Sequence, residues 1–171
     1  QLIGSFLSPF VRRVAISMNV MGIPYKQKAL LAFANADEIQ AHNPLIRVPT
    51  LVLDDGEVLV ESYAILDYLD ELAGDAKQLT PASGLERRRV MKDTAVAVGS
   101  MDRVQWAFYE HRHRPEEKLH ETWAEHNDLR AIGGLQYLND LASAVGETGW
   151  ISNTDRMSQA DISLSLIHIS E

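Results

Sequence analysis

The periodicity of apolar residues changes once along the 171-residue chain, and this change constrains the fold more than any other sequence feature. Short strand and helix patterns alternate over residues 1–76, whereas from residue 85 onward every apolar period is helical. Residues 75–84 hold glycine, proline and serine with few apolar side chains, which is typical of a linker. The sequence therefore predicts an α/β domain over residues 1–76 and an all-helical domain over residues 85–171.

The first domain begins with a short apolar segment, residues 1–4. A helix is predicted to start at Ser8-Pro9, because proline is favoured in a first turn, and to end at Gly22-Ile23-Pro24. Strands are predicted at 25–30, 48–53 and 58–60, with a hairpin turn at 54–57, and helices at 37–42 and from 62 to near 74. This order is typical of a small sheet with helices and one hairpin at its edge.

Two long helices dominate the predicted second domain. The first contains a seam of residues spaced by four and three, which predicts a buried stripe: Val90, Thr94, Ala97, Met101, Val104 and Phe108. Pro115 ends this helix, and a second one is predicted from about Glu116 to Ala144. A turn at 146–150 then precedes a further helix that opens at Ser158.

Composition excludes several classes of function. Lys and Arg total 16 against 24 Asp and Glu, and this net charge of −8 argues against nucleic-acid binding, which needs a basic face. No apolar run approaches the roughly 18 residues that a membrane span needs, so no membrane partner is predicted. Cysteine is absent, which excludes disulfides, thiolate metal sites and a cysteine nucleophile, and fits a reducing, cytoplasmic location.

Ser8 stands where the first helix begins. The N–H groups of a first helical turn lack partners and stabilise a nearby anion, and a hydroxyl there can lower the pKa of a thiol by donating to its thiolate. Serine is also a common N-cap residue. The sequence therefore leaves two interpretations of Ser8 open, a helix cap and a thiolate-stabilising group.

Two more segments place polar groups at strand ends. Val48-Pro49 precedes an apolar strand, either as an ordinary strand-initiating proline or as a cis peptide that leaves the Val48 backbone to pair with an extended peptide. Glu61-Ser62 lies between a strand and a helix, either as a cap with a solvated acid or as a pair that holds an ammonium and a carboxylate. Together with Ser8, these segments are expected to converge on one edge of the sheet.

Three segments in this order and spacing resemble the cytosolic glutathione S-transferase family: SPFVR at 8–12, NPLIRVPTL at 43–51 and ESYAILDYL at 61–69. Residues Ser158–Asp161 also resemble that family's capping box, in which Asp161 reaches back to the backbone of Ser158. The resemblance implies a thioredoxin-like N-terminal domain followed by an all-helical C-terminal domain, a homodimer, and glutathione as co-substrate with no metal.

The resemblance implies that Ser8 is the catalytic hydroxyl that stabilises the thiolate of glutathione, with Ser5 as the alternative. Members with cysteine at this position carry out thiol–disulfide exchange, which a chain without cysteine cannot do. The implied function is activation of glutathione for attack on an apolar electrophile. Two alternatives stay open: a non-catalytic binding protein of the same fold, and a glutathione-dependent isomerase or dehalogenase that uses the same site.

The resemblance also implies how the rest of glutathione is bound. The backbone of Val48 pairs with the cysteinyl part, and Pro49 is the family's cis-proline. Glu61 and Ser62 bind the γ-glutamyl end, and Arg47 meets the glycyl carboxylate.

The helical domain is expected to hold the second substrate. Trp106, Tyr109 and His113 are predicted to line an apolar pocket, to pack in the core or to form a contact between two helices. His111 and His113, two residues apart, point to different faces of a helix, so no metal site is predicted there.

The C-terminal end departs from the family pattern. Residues 163–171 resemble translated sequencing adapter instead of the next helix, so native sequence is expected to end near Ile162 or Ser163. A helical domain cut short there would leave apolar surface exposed, and the 171-residue chain is expected to be poorly soluble or unstable.

Overall fold

The computed structural model describes residues 1–146 and 149–166, and the chain forms two compact units. The first unit comprises Gln1–Ala82 and the second begins at Ser83. The first unit contains a mixed sheet and three helices, and the described part of the second contains helices and 3₁₀ turns. The predicted fold class is confirmed, a thioredoxin-like sheet followed by a helical region.

In the described residues, four strands form one sheet in the order β2-β1-β3-β4. The strands are β1 Leu2–Ile3, β2 Gln27–Lys28, β3 Thr50–Val52 and β4 Val58–Val60. β1 pairs parallel with β2 and antiparallel with β3, and β3 and β4 form the predicted hairpin. β2 is shorter than predicted because only the two residues of β1 pair with it. β3 begins after Pro49, which has no N–H to donate to a ladder.

The first unit has three helices: α1 Pro9–Met21, α2 Ala36–Gln40 and α3 Ser62–Ala73. Gly22 ends α1 in the left-handed conformation with a φ of 76°, which glycine adopts without strain. α1 and α3 pack against each other and supply much of the core. Their buried apolar residues are Val11, Val14, Ala15, Met18, Met21, Ile65, Leu66 and Leu69. The N-terminal residues of α1 and α3 are therefore held in place by a packed apolar core.

The second unit contains α4 Gly84–His113, α5 Glu121–Val145 and α6 Gln159–Ser165. The predicted start of the second long helix at Glu116 is wrong, because residues Glu116–Lys118 form a 3₁₀ turn. α5 begins after His120, whose Nδ1 accepts from the backbone N–H of Trp123 at 3.1 Å. The turn predicted at 146–150 and the tail predicted at 163–171 lie partly outside the described residues, at 147–148 and 167–171.

The buried seam predicted along α4 is correct only in its first half. Val90 is buried in a cluster with Ile151 and Ala160, so a 3₁₀ turn at Ile151–Asn153 and α6 cover this side of the helix. Further along the same line, Val104 and Phe108 are 41% and 57% exposed. Spacing alone does not reveal that the elements covering Val90 do not reach Val104 and Phe108. The second half of α4 is covered on another side, where Ala107 and Glu110 are buried and Arg103 donates to Asn127 of α5.

The predicted capping box at the start of α6 is confirmed. The backbone N–H and the hydroxyl of Ser158 donate to Oδ2 of Asp161 at 2.8 and 2.7 Å. Oδ1 of Asp161 accepts from the N–H of Ile151 at 2.9 Å, which ties the preceding turn to the helix.

Within the described residues, every helix is too short or too polar to cross a membrane.

Candidate functional site

Ser8 caps α1. Its Oγ accepts from the N–H of Val11 at 3.4 Å, and Pro9 occupies the first helical position. The cap interpretation of Ser8 is thus confirmed. A hydroxyl oxygen that accepts one hydrogen bond still has its own proton to donate, so the cap does not prevent Ser8 from donating to an anion at the helix N-terminus.

The turn that leads into α1 is held by Arg12. Its Nη1 donates to the carbonyl oxygens of Phe6 and Leu7 at 2.7 and 3.3 Å. Oγ of Ser5 accepts from the N–H of Leu7 at 3.3 Å in the same turn. Partial burial lowers the pKa of the Arg12 guanidinium. Sequence reasoning gave Arg12 no role, and the structure shows that it fixes the backbone between the two candidate hydroxyls, Ser5 and Ser8.

The Val48–Pro49 peptide bond is cis, which settles the choice that the sequence left open. Across the part of the chain that the structure describes, the N–H and C=O of Val48 have no hydrogen-bond partner. Asn43 supports this loop from below: it is fully buried, and its amide nitrogen donates to the Arg47 carbonyl oxygen at 2.9 Å and to Oγ1 of Thr50 at 3.1 Å. An extended peptide can therefore pair with a fixed, unpaired Val48 backbone.

Gly4 lets α1 and the Val48 loop approach each other. A Cβ at this position would lie 2.5 Å from Cγ2 of Val11 and 2.9 Å from Cβ of Val48, and the φ of Gly4 is +136°. Both distances are below van der Waals contact, so only glycine fits. Sequence reasoning missed Gly4, although a glycine directly after a strand is a signal for close backbone approach.

The N-terminus of α3 has no side-chain cap. Glu61, which precedes it, has φ 65° and ψ 132°, a strained conformation for a residue with a side chain. In the first unit, the other described non-glycine residue with a positive φ is Ile46, in the segment that carries Arg47 and Val48. Backbone strain of this kind is concentrated at functional sites. An uncapped helix N-terminus is suited to a carboxylate.

Ser62, the first residue of α3, contacts a buried arginine of α1. Nη1 of Arg13 donates to Oγ of Ser62 at 3.3 Å, and its guanidinium carbon lies 4.8 Å from the centre of the Tyr63 ring. Arg13 is 1% exposed, and burial lowers its pKa to about 10, so it is still charged at neutral pH. Sequence reasoning assigned no role to Arg13.

Arg47 and Glu61, predicted to bind opposite ends of one ligand, form an ion pair. Their Nη1 and Oε1 atoms are 3.2 Å apart, and both side chains are about half exposed. The pair joins the loop before β3 to the turn before α3.

Three residues of the helical unit are candidates for the site of the second substrate: Trp106, Tyr109 and His113. Trp106 is half exposed, which rules out the core-packing interpretation for this residue. The rings of Tyr109 and His113 meet edge to face with their centres 5.2 Å apart. Among the residues that the structure describes, no group of three or more His, Cys, Asp or Glu side chains is arranged to hold a metal ion.

Comparisons with known proteins agree with this architecture. The family model described as "Glutathione S-transferase, N-terminal domain" matches residues 2–77. A glutathione S-transferase from Methylobacillus flagellatus, solved with glutathione bound, is 26% identical with a TM-score of 0.87, over 98% of this chain and 80% of that one. The fold thus defines a protein with a thioredoxin-like domain of the kind found in glutathione S-transferases, followed by a helical region. Residues 2–77 match the N-terminal domain of the glutathione S-transferase family, and the chain as a whole is similar to solved glutathione S-transferases.

Two curated relatives extend the comparison. The GST-like protein YibF of Escherichia coli is 37% identical over 102 residues, which is 60% of this chain and 50% of the relative. A probable maleylacetoacetate isomerase of Drosophila melanogaster is 32% identical over 129 residues, 72% of this chain and 55% of the relative. The chain therefore spans about half the length of these curated relatives.

Proposed function

We propose that the first unit binds glutathione at this edge of the sheet and that the hydroxyl of Ser8 stabilises its thiolate for attack on an apolar electrophile. One observation carries the proposal: four residue pairs in contact within the first unit connect the segments on which the predicted ligand groups lie. The contacts are Gly4 with Val11 and Val48, Arg13 with Ser62, and Arg47 with Glu61.

The chemistry follows from the groups at the start of α1. The Ser8 hydroxyl donates to the sulfur, and the partial positive charge of the helix N-terminus favours the thiolate over the thiol. Glutathione is itself the nucleophile, so the protein contributes proximity and a hydrogen bond. Because the sequence has no cysteine, it forms no mixed disulfide with glutathione, and the proposed reaction is a non-redox one.

The remaining groups match a zwitterionic tripeptide. The unpaired backbone of Val48, beside Pro49, pairs with the cysteinyl residue as a sheet edge would. Ser62 and the uncapped N-terminus of α3 hold the γ-glutamyl carboxylate, and the Glu61 carboxylate holds the ammonium. Arg47 then binds the glycyl carboxylate in place of Glu61.

A glutathione-dependent isomerisation is the second candidate. The similarity to a probable maleylacetoacetate isomerase supports it, because that match extends beyond the first unit into the helical one. Both reactions use the same thiolate, so they differ in the second substrate. Rates of conjugation to an aromatic chloride and of cis–trans isomerisation of maleylacetoacetate, measured side by side, distinguish them.

The role of Ser8 is tested by the ultraviolet absorbance of the thiolate of bound glutathione. Ser8→Ala is expected to lower the thiolate fraction and the conjugation rate, with glutathione affinity nearly unchanged, since only the hydrogen bond to sulfur is lost. Ser5→Ala is the matched control, because both hydroxyls lie in the turn that Arg12 holds. A thiolate signal that falls with Ser5→Ala and not with Ser8→Ala would move the role to Ser5.

A homodimer and a cytoplasmic location remain predictions from the family resemblance and the composition.

A further inference from the structure

We infer that Arg13 is a positioning residue for the carboxylate of the γ-glutamyl group: it holds the Ser62 hydroxyl as a donor and places a buried positive charge behind it. The inference rests on the proposed glutathione site and adds a residue that no sequence motif assigned.

The hydrogen bond between the two residues sets the direction in which Ser62 donates. A guanidinium only donates, so at 3.3 Å Oγ of Ser62 must be the acceptor from Nη1 of Arg13. The proton of the Ser62 hydroxyl is then left to donate elsewhere. A carboxylate at the N-terminus of α3 accepts such a proton, and this end of the helix has no side-chain cap that would compete.

The charge of Arg13 is not balanced within the described part of the chain. It is 1% exposed, and none of the Asp or Glu side chains described forms an ion pair with it. Its Nε is buried without a hydrogen-bond partner, and its guanidinium carbon lies 4.8 Å from the centre of the Tyr63 ring, which carries no formal negative charge at neutral pH. A buried cation without a counter-ion is costly, and an anion bound beside it removes much of that cost.

The contacts of the neighbouring Arg12 differ from those of Arg13. This difference argues against the view that both arginines of α1 serve only to stabilise the local backbone. Arg12 donates to two carbonyl oxygens of its own turn, Phe6 and Leu7, and so is used to fix backbone. The hydrogen bond of Arg13 instead goes to the side chain of Ser62, 49 residues away in sequence. Its contact is therefore with the group predicted to bind the ligand.

The test uses the 171-residue chain and two ligands that differ by one group. Glutathione carries the α-carboxylate, and γ-aminobutyryl-cysteinyl-glycine has a hydrogen atom in its place. Affinities for both are measured by calorimetry for the wild type, Arg13→Met, Arg13→Lys and the control Lys26→Met, which removes an exposed cation of the same unit. Circular dichroism and thermal unfolding show which variants are folded.

We expect wild-type protein to bind glutathione roughly tenfold or more tightly than the analogue, the effect of a charge-assisted hydrogen bond. Arg13→Met should lose about tenfold in affinity for glutathione and less than about twofold for the analogue. Arg13→Lys should recover part of the loss, and Lys26→Met should change neither affinity. A purely structural role of Arg13 would lower both affinities alike, and that result would overturn the inference.

Two further outcomes separate this inference from the proposed function. If wild-type protein binds neither ligand, the glutathione site itself is refuted, and the inference with it. If wild-type protein binds both ligands equally, the inference fails together with the assignment of the γ-glutamyl carboxylate to Ser62, while glutathione binding by the first unit stands. Should the Arg13 variants not fold, Ser62→Ala decides, because it should remove the discrimination between the two ligands. Discrimination at the wild-type level in Ser62→Ala would overturn the inference.

Discussion

Nη1 of Arg47 lies 3.2 Å from Oε1 of Glu61, so the two charges expected to bind opposite ends of glutathione neutralise each other. The pair is about half exposed on both sides, and exposed ion pairs contribute little to stability. It can therefore be exchanged for ligand contacts at small cost. Arg47 and Glu61 are each left with a ligand group of the opposite sign when the tripeptide binds.

Arg47→Gln should separate binding from stability. We expect the free energy of unfolding to change by less than about 1 kcal/mol, because the lost ion pair is exposed. Glutathione affinity should fall about five- to tenfold, and less at high salt, since a screened charge contact is lost. Lys28→Gln is the matched control, because Lys28 forms a partly exposed ion pair with Glu38 at 2.7 Å elsewhere in the same unit. Equal glutathione affinity of both variants and the wild type would contradict the assignment of Arg47.

At position 61, a glycine variant of the protein should be more stable than an alanine variant. Its φ of 65° and ψ of 132° are strained for any residue with a Cβ and free for glycine. Glu61→Gly and Glu61→Ala both remove the carboxylate, so their difference isolates the backbone. We expect Glu61→Gly to exceed Glu61→Ala by about 1 kcal/mol in the free energy of unfolding, measured in urea, with equally weakened glutathione binding. A more stable alanine variant would show that the strain is absent.

Gly4→Ala should damage both the fold and the site. The added methyl group would overlap Val11 and Val48, at 2.5 and 2.9 Å, in a conformation with a φ of +136°. We expect a loss of about 2–4 kcal/mol in the free energy of unfolding and weaker glutathione binding, because Val48 must move. The control is Gly99→Ala, in the interior of α4 with open space around it, which should be neutral or stabilising by up to about 1 kcal/mol. Similar unfolding curves for the two variants would contradict the close packing at Gly4.

Asp70→Asn should change how stability depends on pH. Burial raises the pKa of the Asp70 carboxyl, against the opposing effect of the Leu79 N–H, which donates to its Oδ1 at 2.6 Å. The folded state then takes up this proton more readily than the unfolded state, so the contribution of Asp70 to stability is present at low pH and is lost as pH rises through its folded-state pKa. Asparagine keeps the acceptor for Leu79 and cannot ionise.

We therefore expect Asp70→Asn to be more stable than the wild type at neutral pH, and the gap to close as the pH falls toward 3.8, the ordinary value for aspartate. Thermal unfolding over a series of pH values measures it. Asp54→Asn, at an exposed position of the hairpin turn, should follow the wild-type profile. A gap for Asp70→Asn that widens toward acid pH would show that the sign is wrong.

The sequence predicts well those structural features that depend only on residues close together along the chain. The cap at Ser8, the stop at Gly22 and the capping box of Ser158 with Asp161 depend on hydrogen bonds within one turn, and all are present in the structure. The β3–β4 hairpin is equally local. The isomer of the Val48–Pro49 bond is different, because both isomers fit the same residues and only the surrounding loop selects cis.

The sequence does not predict contacts that depend on how helices pack. Arg13 lies about 200° around α1 from the buried Val11, which suggests solvent exposure at the usual 100° or so per residue. It is buried nevertheless, because Ser62 and Tyr63 at the start of α3 cover that side. Val104 shows the opposite error: it continues an apolar line along α4, yet it is 41% exposed. In both cases the side chain's surroundings come from another element, which periodicity does not contain.

Glutathione binding at the Ser8, Val48 and Ser62 edge is tested most directly by calorimetric titration of glutathione into the 171-residue chain and into its Ser62→Ala variant. We predict saturable binding at one site per chain, weakened about tenfold or more in Ser62→Ala, because a donor to the γ-glutamyl carboxylate is lost. The absence of saturable binding, or equal affinity of the two proteins for glutathione, would contradict the proposed site.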